Sequence, residues 1–183
     1  MKIHFTSDNH FGHRSIIRFC TRPFDSVTDM DMAMIENWNK VVSPKDTIYH
    51  IGDFAFYHDI NVTKEILRAL NGRKILIAGN HDRNNVRSLS EWNQVHQYFE
   101  LKHQGYDLIL FHYPIGSWNK SFHNSFHLHG HSHGKYTEET WDNGNRKLRL
   151  DVGVDTHNFT PWEFDEIVEY MNAIKKTNVK VNS

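Results

Sequence analysis

The sequence predicts an α/β fold, α+β in its second half, built on a mixed sheet or on two packed sheets. Five short apolar runs of strand length punctuate the chain. Between the first three, and again near the C-terminal end, apolar residues recur at helical spacing. Early strand–helix alternation then gives way to strands in succession, which points to a mixed sheet or to two sheets packed together.

The first run, Ile3-His4-Phe5-Thr6-Ser7, ends at Asp8-Asn9-His10. A helix follows from Val27 to Val42, with Met30, Met34, Ile35 and Trp38 at helical spacing and Ser43-Pro44 as its stop. The second run, Thr47-Ile48-Tyr49-His50-Ile51, ends at Gly52-Asp53. A second helix runs from Val62 to Leu70, with Val62, Ile66, Ala69 and Leu70 on one face and Asn71-Gly72 ending it. The third run, Ile75-Leu76-Ile77-Ala78, leads into Gly79-Asn80-His81-Asp82. After an irregular helical stretch, a strand pair contains the fourth run, Leu108-Ile109-Leu110-Phe111, which stops at His112. The fifth, Phe126-His127-Leu128-His129, leads into Gly130-His131-Ser132-His133. Asp142-Asn143-Gly144-Asn145 reads as a hairpin turn between Tyr136–Trp141 and Arg146–Val152. A last helix spans Pro161 to Ile174, with Phe164, Ile167, Val168, Met171 and Ile174 on its apolar side. One domain over residues 1–176 is expected, followed by a polar tail at 177–183.

The bulk chemistry narrows the class. The formal net charge is -1, so no global field draws the chain to nucleic acid or to a membrane surface. No stretch approaches the roughly 18 apolar residues of a membrane span. Met1-Lys2-Ile3-His4-Phe5 turns polar too soon for a signal peptide. A single cysteine, Cys20, cannot form an internal disulfide and reads as a small buried hydrophobe, which fits a reducing, cytoplasmic setting.

Among 15 histidines, position matters more than number. His10, His81, His112, His131 and His133 sit just past apolar runs, whereas His4, His50 and His127 lie within or at the end of such runs and read as packing residues, with His129 less decided. Ligands in open α/β sheets gather outside the carboxyl ends of the strands. Five strands delivering Asp, Asn and His to one edge would build one polar site. Asp8 and His10 are two apart, so an extended segment would turn both to the same side, and His131 and His133 repeat the spacing. Gly52, Gly79 and Gly130 permit close approach or unusual backbone angles. The donors Asp8, His10, Asp53, Asn80, His112, His131 and His133 offer oxygen and imidazole nitrogen without sulfur, which suits Mn, Fe, Zn, Ni or Co. They are too many for one tetrahedral zinc and suit two ions roughly 3.5–4 Å apart. Taken singly, each element has an ordinary structural reading; the metal reading rests on their joint order.

The ordered set Asp8-x-His10, Gly52-Asp53, Gly79-Asn80-His81-Asp82, His112 and Gly130-His131-Ser132-His133 resembles the calcineurin-like metallophosphoesterase family. The stretch Ser7-Asp8-Asn9-His10-Phe11-Gly12-His13, followed by Arg22-Pro23-Phe24, is similar to a group of small stand-alone bacterial and phage phosphoesterases. The resemblance implies a four-layer α-β-β-α sandwich of two mixed sheets. It implies that Asp8, His10 and His133 hold a first divalent metal, that Asn80, His112 and His131 hold a second, and that Asp53 bridges them, with manganese the first choice. It also implies hydrolysis of a small, nucleotide-like phosphate mono- or diester by a metal-bridging hydroxide. His81 would then face the leaving group, and Asp82 would orient His81 or tune its charge.

Around these residues, His13, Arg14 and Arg83 are candidates for substrate binding, as is Arg22, because guanidinium matches phosphate bidentately. Trp118, Lys120, Phe122 and Phe126 read as a loop covering the site, and 151–157 as part of its rim. The family's protein phosphatases extend the second motif as Gly-Asp-x-Val-Asp-Arg-Gly; here it reads Gly52-Asp53-Phe54-Ala55-Phe56-Tyr57, which disfavours a phosphoprotein substrate. The chain is also too short for the extra domains of the large double-strand-break nucleases of that superfamily. A nuclease acting on single-stranded nucleic acid is the alternative enzyme, and an idle metal-binding scaffold the alternative outside enzymes. The expected partner is a small phosphoester, with no membrane.

Overall fold

The structure of the protein is a computed structural model, and it describes residues 1–136 and 144–181, the side chains of 179–181 excepted. In chain order the elements are β1 (Ile3–Thr6), α1 (Arg14–Phe19), α2 (Val27–Val41), β2 (Thr47–His50), α3 (Ile60–Ala69), β3 (Arg73–Ile77), α4 (Asn84–Arg87), β4 (Gln94–His96), β5 (Tyr98–His103), β6 (Tyr106–Phe111), β7 (Phe126–His129), β8 (Arg149–Asp151), β9 (Trp162–Glu163) and α5 (Phe164–Val181). The turn expected at 142–145, with the strand before it, falls largely outside the described residues.

Two mixed sheets form. The first runs β4-β3-β2-β1-β9, with β1 to β4 parallel and β9 antiparallel on β1. The second runs β5-β6-β7-β8, with β5 and β6 antiparallel and the other pairs parallel. The central strands of the first sheet are buried on both faces because both are covered. Phe5, Tyr49, Ile51, Ile75 and Ile77 face Leu108, Leu110, Phe126 and Leu128 of the second sheet. Ile48 and Leu76 face Met30, Met34 and Trp38 of α2 and Ile66 and Leu67 of α3.

The helices start and stop for local reasons. Ser26 caps α2 by accepting Asp29 N–H at 3.1 Å, and Asp59 caps α3 by accepting Asn61 N–H at 2.9 Å. The helix α1 was not legible, since its 6 residues bury only Ile16 and give no periodic signal. The last helix continues past Ile174 to Val181, so most of the segment read as a tail is helical. Asn178 explains the extension: its side chain accepts Arg146 N–H at 2.8 Å and donates to Arg146 O at 2.9 Å. Phe164, Ile167, Met171 and Ile174 of α5 join the core between the sheets. On the outer face of the second sheet, Trp118 packs on His127 (ring centroids 5.2 Å apart) and Lys120 bonds Asp107. A segment whose helix is a single 3-10 turn, Ser121–His123, thus covers that face, and the outer α-helical layer expected there is not among the described elements. The same segment was expected to cover the metal ligands, and Phe126, counted with it, is instead a fully buried residue of β7.

His4, His50, His127 and His129 are all buried, as packing residues would be. Burial lowers both His50 and His127 to about 3. The folded state therefore binds fewer protons than the unfolded chain below pH 6.5, the ordinary value. Their contribution to stability is complete above pH 6.5 and is lost progressively as pH falls toward 3. The expected loss at pH 5 is about 2 kcal/mol per histidine. Urea unfolding at pH 7.5 and pH 5 measures it, and an unchanged difference in His127→Gln would reject this assignment.

Candidate metal centre

The carboxyl ends of β1, β2, β3, β6 and β7 deliver the expected residues to one place. Asp8, His10 and His133 bring ligand atoms within 4.8 Å of one another, and so do Asp53, His112 and His131. Asp53 joins the two groups: its Oδ2 lies 3.6 Å from His10 Nε2 and 3.5 Å from His112 Nε2. Asn80 Oδ1 lies 3.0 Å from His112 Nε2.

The backbone at these positions is not extended. Asp8, His10, Asp53, His131 and His133 have φ of 57°, 52°, 60°, 67° and 49°, in the left-handed region that non-glycine residues seldom occupy. Alternation along a strand therefore does not aim Asp8 and His10, as was expected. Instead the loops brace one another: Asp8 N–H donates to Gly52 O at 2.9 Å and His10 N–H to Asp53 O at 3.1 Å. Left-handed residues of this kind cluster at functional sites, where surrounding structure enforces them. Two glycines make the approach feasible. A Cβ on Gly130 would collide with Asp8 Oδ2 and Ser7, and one on Gly79 with Asp53.

The donors fit divalent cations. Asp8 Oδ1 and His10 Nε2 are buried, 3.8 Å apart, and neither has a hydrogen-bond partner. Burial pushes the Asp8 carboxyl up to about 7 against the opposing charges of His112 and His133, as expected where a negative charge lacks a counter-ion. Burial pushes His10 down to about 2, which keeps it in the neutral, ligating form. Asp53 stays ionised, well below the usual carboxylate range: burial opposes this, but the His112 hydrogen bond and charge and His81 N–H outweigh it. His112 responds in the opposite sense. Burial disfavours its charge, yet Asp53 and Asp8 raise it to about 9, so a proton supplies the positive charge that a cation would bring. Ring orientation is fixed from behind, since His112 Nδ1–H donates to Ile51 O at 2.8 Å and His133 Nδ1–H to Asp155 Oδ2 at 2.7 Å.

Several surrounding residues differ from expectation. Asp82 is buried, and its oxygens accept Asp53 N–H and Gly79 N–H, both at 2.8 Å, and Phe54 N–H at 2.9 Å. It pins the Asp53 loop to the Gly79 loop, and no hydrogen bond or ion pair joins it to the His81 ring. The exposed His81 ring lies 4.7 Å from Phe56, and the backbone N–H of His81 donates to Asp53 Oδ1 at 2.9 Å. His13 is at the site: it stacks on Phe56 at 4.0 Å, and its Nδ1 is 3.4 Å from His10 Nδ1. Arg14 lines a separate surface cleft with Ile17, Arg18, Asp25, Ser26 and Val27. Arg83 is exposed at the start of α4. Arg22 is buried and bonds protein groups only, so it is not a phosphate grip. Phe56 and Asp155 were not singled out as partners of the ligands. Phe56 could have been found as the apolar replacement in the second motif; nothing in the sequence marks Asp155 beyond its place in the expected rim.

Fold and donors together define a two-sheet α/β protein with a cluster of metal-ligand side chains at the carboxyl ends of its strands. The chain is 33% identical over 175 residues to the uncharacterized protein MJ1445 of Methanocaldococcus jannaschii, covering 95% of this chain and 93% of that protein. It belongs to the same family as MJ1445. The crystal structure of the protein of unknown function AQ665 from Aquifex aeolicus matches with a TM-score of 0.72 and 28% identity, over 92% of this chain and 98% of that one. Yfce, a phosphoesterase from E. coli, aligns at a TM-score of 0.45 and 16% identity, over 84% of this chain and 78% of that one. No protein-family model matches the chain. No described helix is long and apolar enough to cross a membrane.

Proposed function

We propose that the protein is a dinuclear metal-dependent phosphoesterase of the calcineurin-like type that hydrolyses a small phosphate mono- or diester. One observation carries this reading: two groups of three donors, Asp8/His10/His133 and Asp53/His112/His131, share an edge at Asp53. Asp8, His10 and His133 would hold one ion, Asn80, His112 and His131 the other, and Asp53 both. When bound, two divalent cations neutralise charge on phosphoryl oxygens and lower the pKa of water toward neutrality. Manganese is the ion to load first, since carboxylate, amide and imidazole donors without thiolate suit it.

The chain's own residues do the rest. His81 is exposed beside the cluster and belongs to neither donor group, which supports the role of donating a proton to the departing ester oxygen. Phe56 packs against the rings of His10, His13 and His81, at 5.0, 4.0 and 4.7 Å, and holds all three. From this stack, half-buried and 3.4 Å from His10 Nδ1, His13 would contact the substrate. Asp82 fixes the backbone on which Asp53 and Asn80 stand.

The manganese-loaded protein is expected to hydrolyse bis-(p-nitrophenyl) phosphate or p-nitrophenyl phosphate. Activity should disappear with a chelator and return with manganese. A screen of mono-, di- and cyclic nucleotides then narrows the substrate. Two bound ions with no hydrolysis of any of these esters would overturn the enzyme in favour of a scaffold, and cleavage confined to single-stranded nucleic acid would favour the nuclease.

A further inference from the structure

We propose that Arg22, acting through Asp155, is the positioning residue that builds the first cation position, by holding Asp8, His10 and His133 in one arrangement. The inference rests on the metal centre proposed above. The Arg22 side chain is 0% exposed, although it lies in the loop after α1 and carries a charge. All five of its N–H donors are used. Nε donates to Asp155 Oδ1 and Nη2 to Asp155 Oδ2, both at 2.8 Å. Nη2 also donates to Asp8 O at 2.7 Å, and Nη1 to Asn9 O at 2.9 Å and to Met30 Sδ at 3.4 Å.

Those two carbonyls belong to the segment in which Asp8 and His10 are held at positive φ. A buried carbonyl without a partner is costly, and a left-handed residue persists only where its surroundings enforce it. The guanidinium satisfies the first requirement and shares the second with the loop at 52–54, whose carbonyls accept Asp8 N–H and His10 N–H. On its other side, Asp155 Oδ2 accepts His133 Nδ1–H at 2.7 Å, which leaves Nε2 of that ring as its ligating atom. One planar fork thus fixes the backbone of two ligands and the ring of a third, which come from β1 and from the loop after β7. No comparable bond from Arg22 reaches Asn80, His112 or His131. Cys20 also comes within 4.8 Å of His133 and Asp155, but Arg22 already supplies the positive charge beside Asp155.

The proposal predicts a split between the two positions. Manganese titrations followed by electron paramagnetic resonance, with native mass spectrometry for stoichiometry, would compare the wild type with Arg22→Lys. Lysine keeps the charge but cannot bridge bidentately. The wild type should bind two ions. Arg22→Lys should bind one as the wild type does and the other roughly 10–100-fold more weakly. If Arg22→Lys does not fold, Arg22→Met/Asp155→Asn makes the same test, since it leaves no unpaired buried charge. Two unchanged affinities, or two that fall together, would overturn the positioning role. A wild type that binds no manganese would instead remove the metal centre itself.

Discussion

Replacing His81 by alanine is expected to lower kcat by roughly 10²–10⁴-fold while both cations stay bound. The geometry separates the two effects. His81 contributes a backbone N–H to Asp53 Oδ1, and alanine keeps that bond. Its ring belongs to neither donor group and packs beside Phe56 and His10. Removing an exposed ring of this kind should move folding stability by no more than about 0.5 kcal/mol. A second signature identifies the role. If the ring supplies a proton to the departing oxygen, esters of poorly acidic alcohols should suffer most. Esters of p-nitrophenol, whose anion leaves without protonation, should suffer less. Metal analysis alongside kinetics on both ester types decides the matter. Metal and activity lost in equal measure would make His81 a ligand, and an equal fall for both ester types would remove the proton-donor role.

The parts of this site legible from sequence are those in which one chain segment carries both the signal and the side chain. An apolar run followed at once by Asp, Asn or His states where a strand ends and what it delivers. The glycines before Asn80 and His131 announced close approach, and Gly79 and Gly130 do lie against Asp53 and Asp8. What failed depended on partners distant in sequence. Asp8 and His10 looked extended because their left-handed backbone is imposed by the loop at 52–54, some 40 residues away. Asp82 follows His81 and was read as its partner, yet its carboxylate turns to three backbone N–H groups that only the fold brings together. Arg22 was read as a candidate phosphate grip, because the Asp8 and Asn9 carbonyls it bonds are brought to it only by the fold. The segment around Trp118 was read as a cover over the ligands; its attachments to Asp107 and His127 exist only once the second sheet forms.

Asp53→Asn should have the largest effect of any single substitution, because it strikes both cation positions at once. Asparagine keeps nearly the same shape. It can still accept His81 N–H, and the bond from the residue 53 N–H to Asp82 Oδ2 is untouched. The fold should therefore persist, with an unchanged circular-dichroism spectrum. What disappears is the one negative charge that lies 3.6 Å from His10 Nε2 and 3.5 Å from His112 Nε2. Breaking a buried charge pair by removing one partner costs about 3–5 kcal/mol, and two divalent ions brought close together would feel the loss more than one imidazolium does. The expected result is a fall of roughly 10³-fold or more in kcat/KM, on the scale of that energy at 1.36 kcal/mol per decade, with neither ion retained through gel filtration at micromolar manganese. The comparison with Arg22→Lys is informative, because that variant should weaken one ion only. If Asp53→Asn held both ions and lost only turnover, its carboxylate would not be the shared ligand, and the two donor groups would have to be read as separate mononuclear sites.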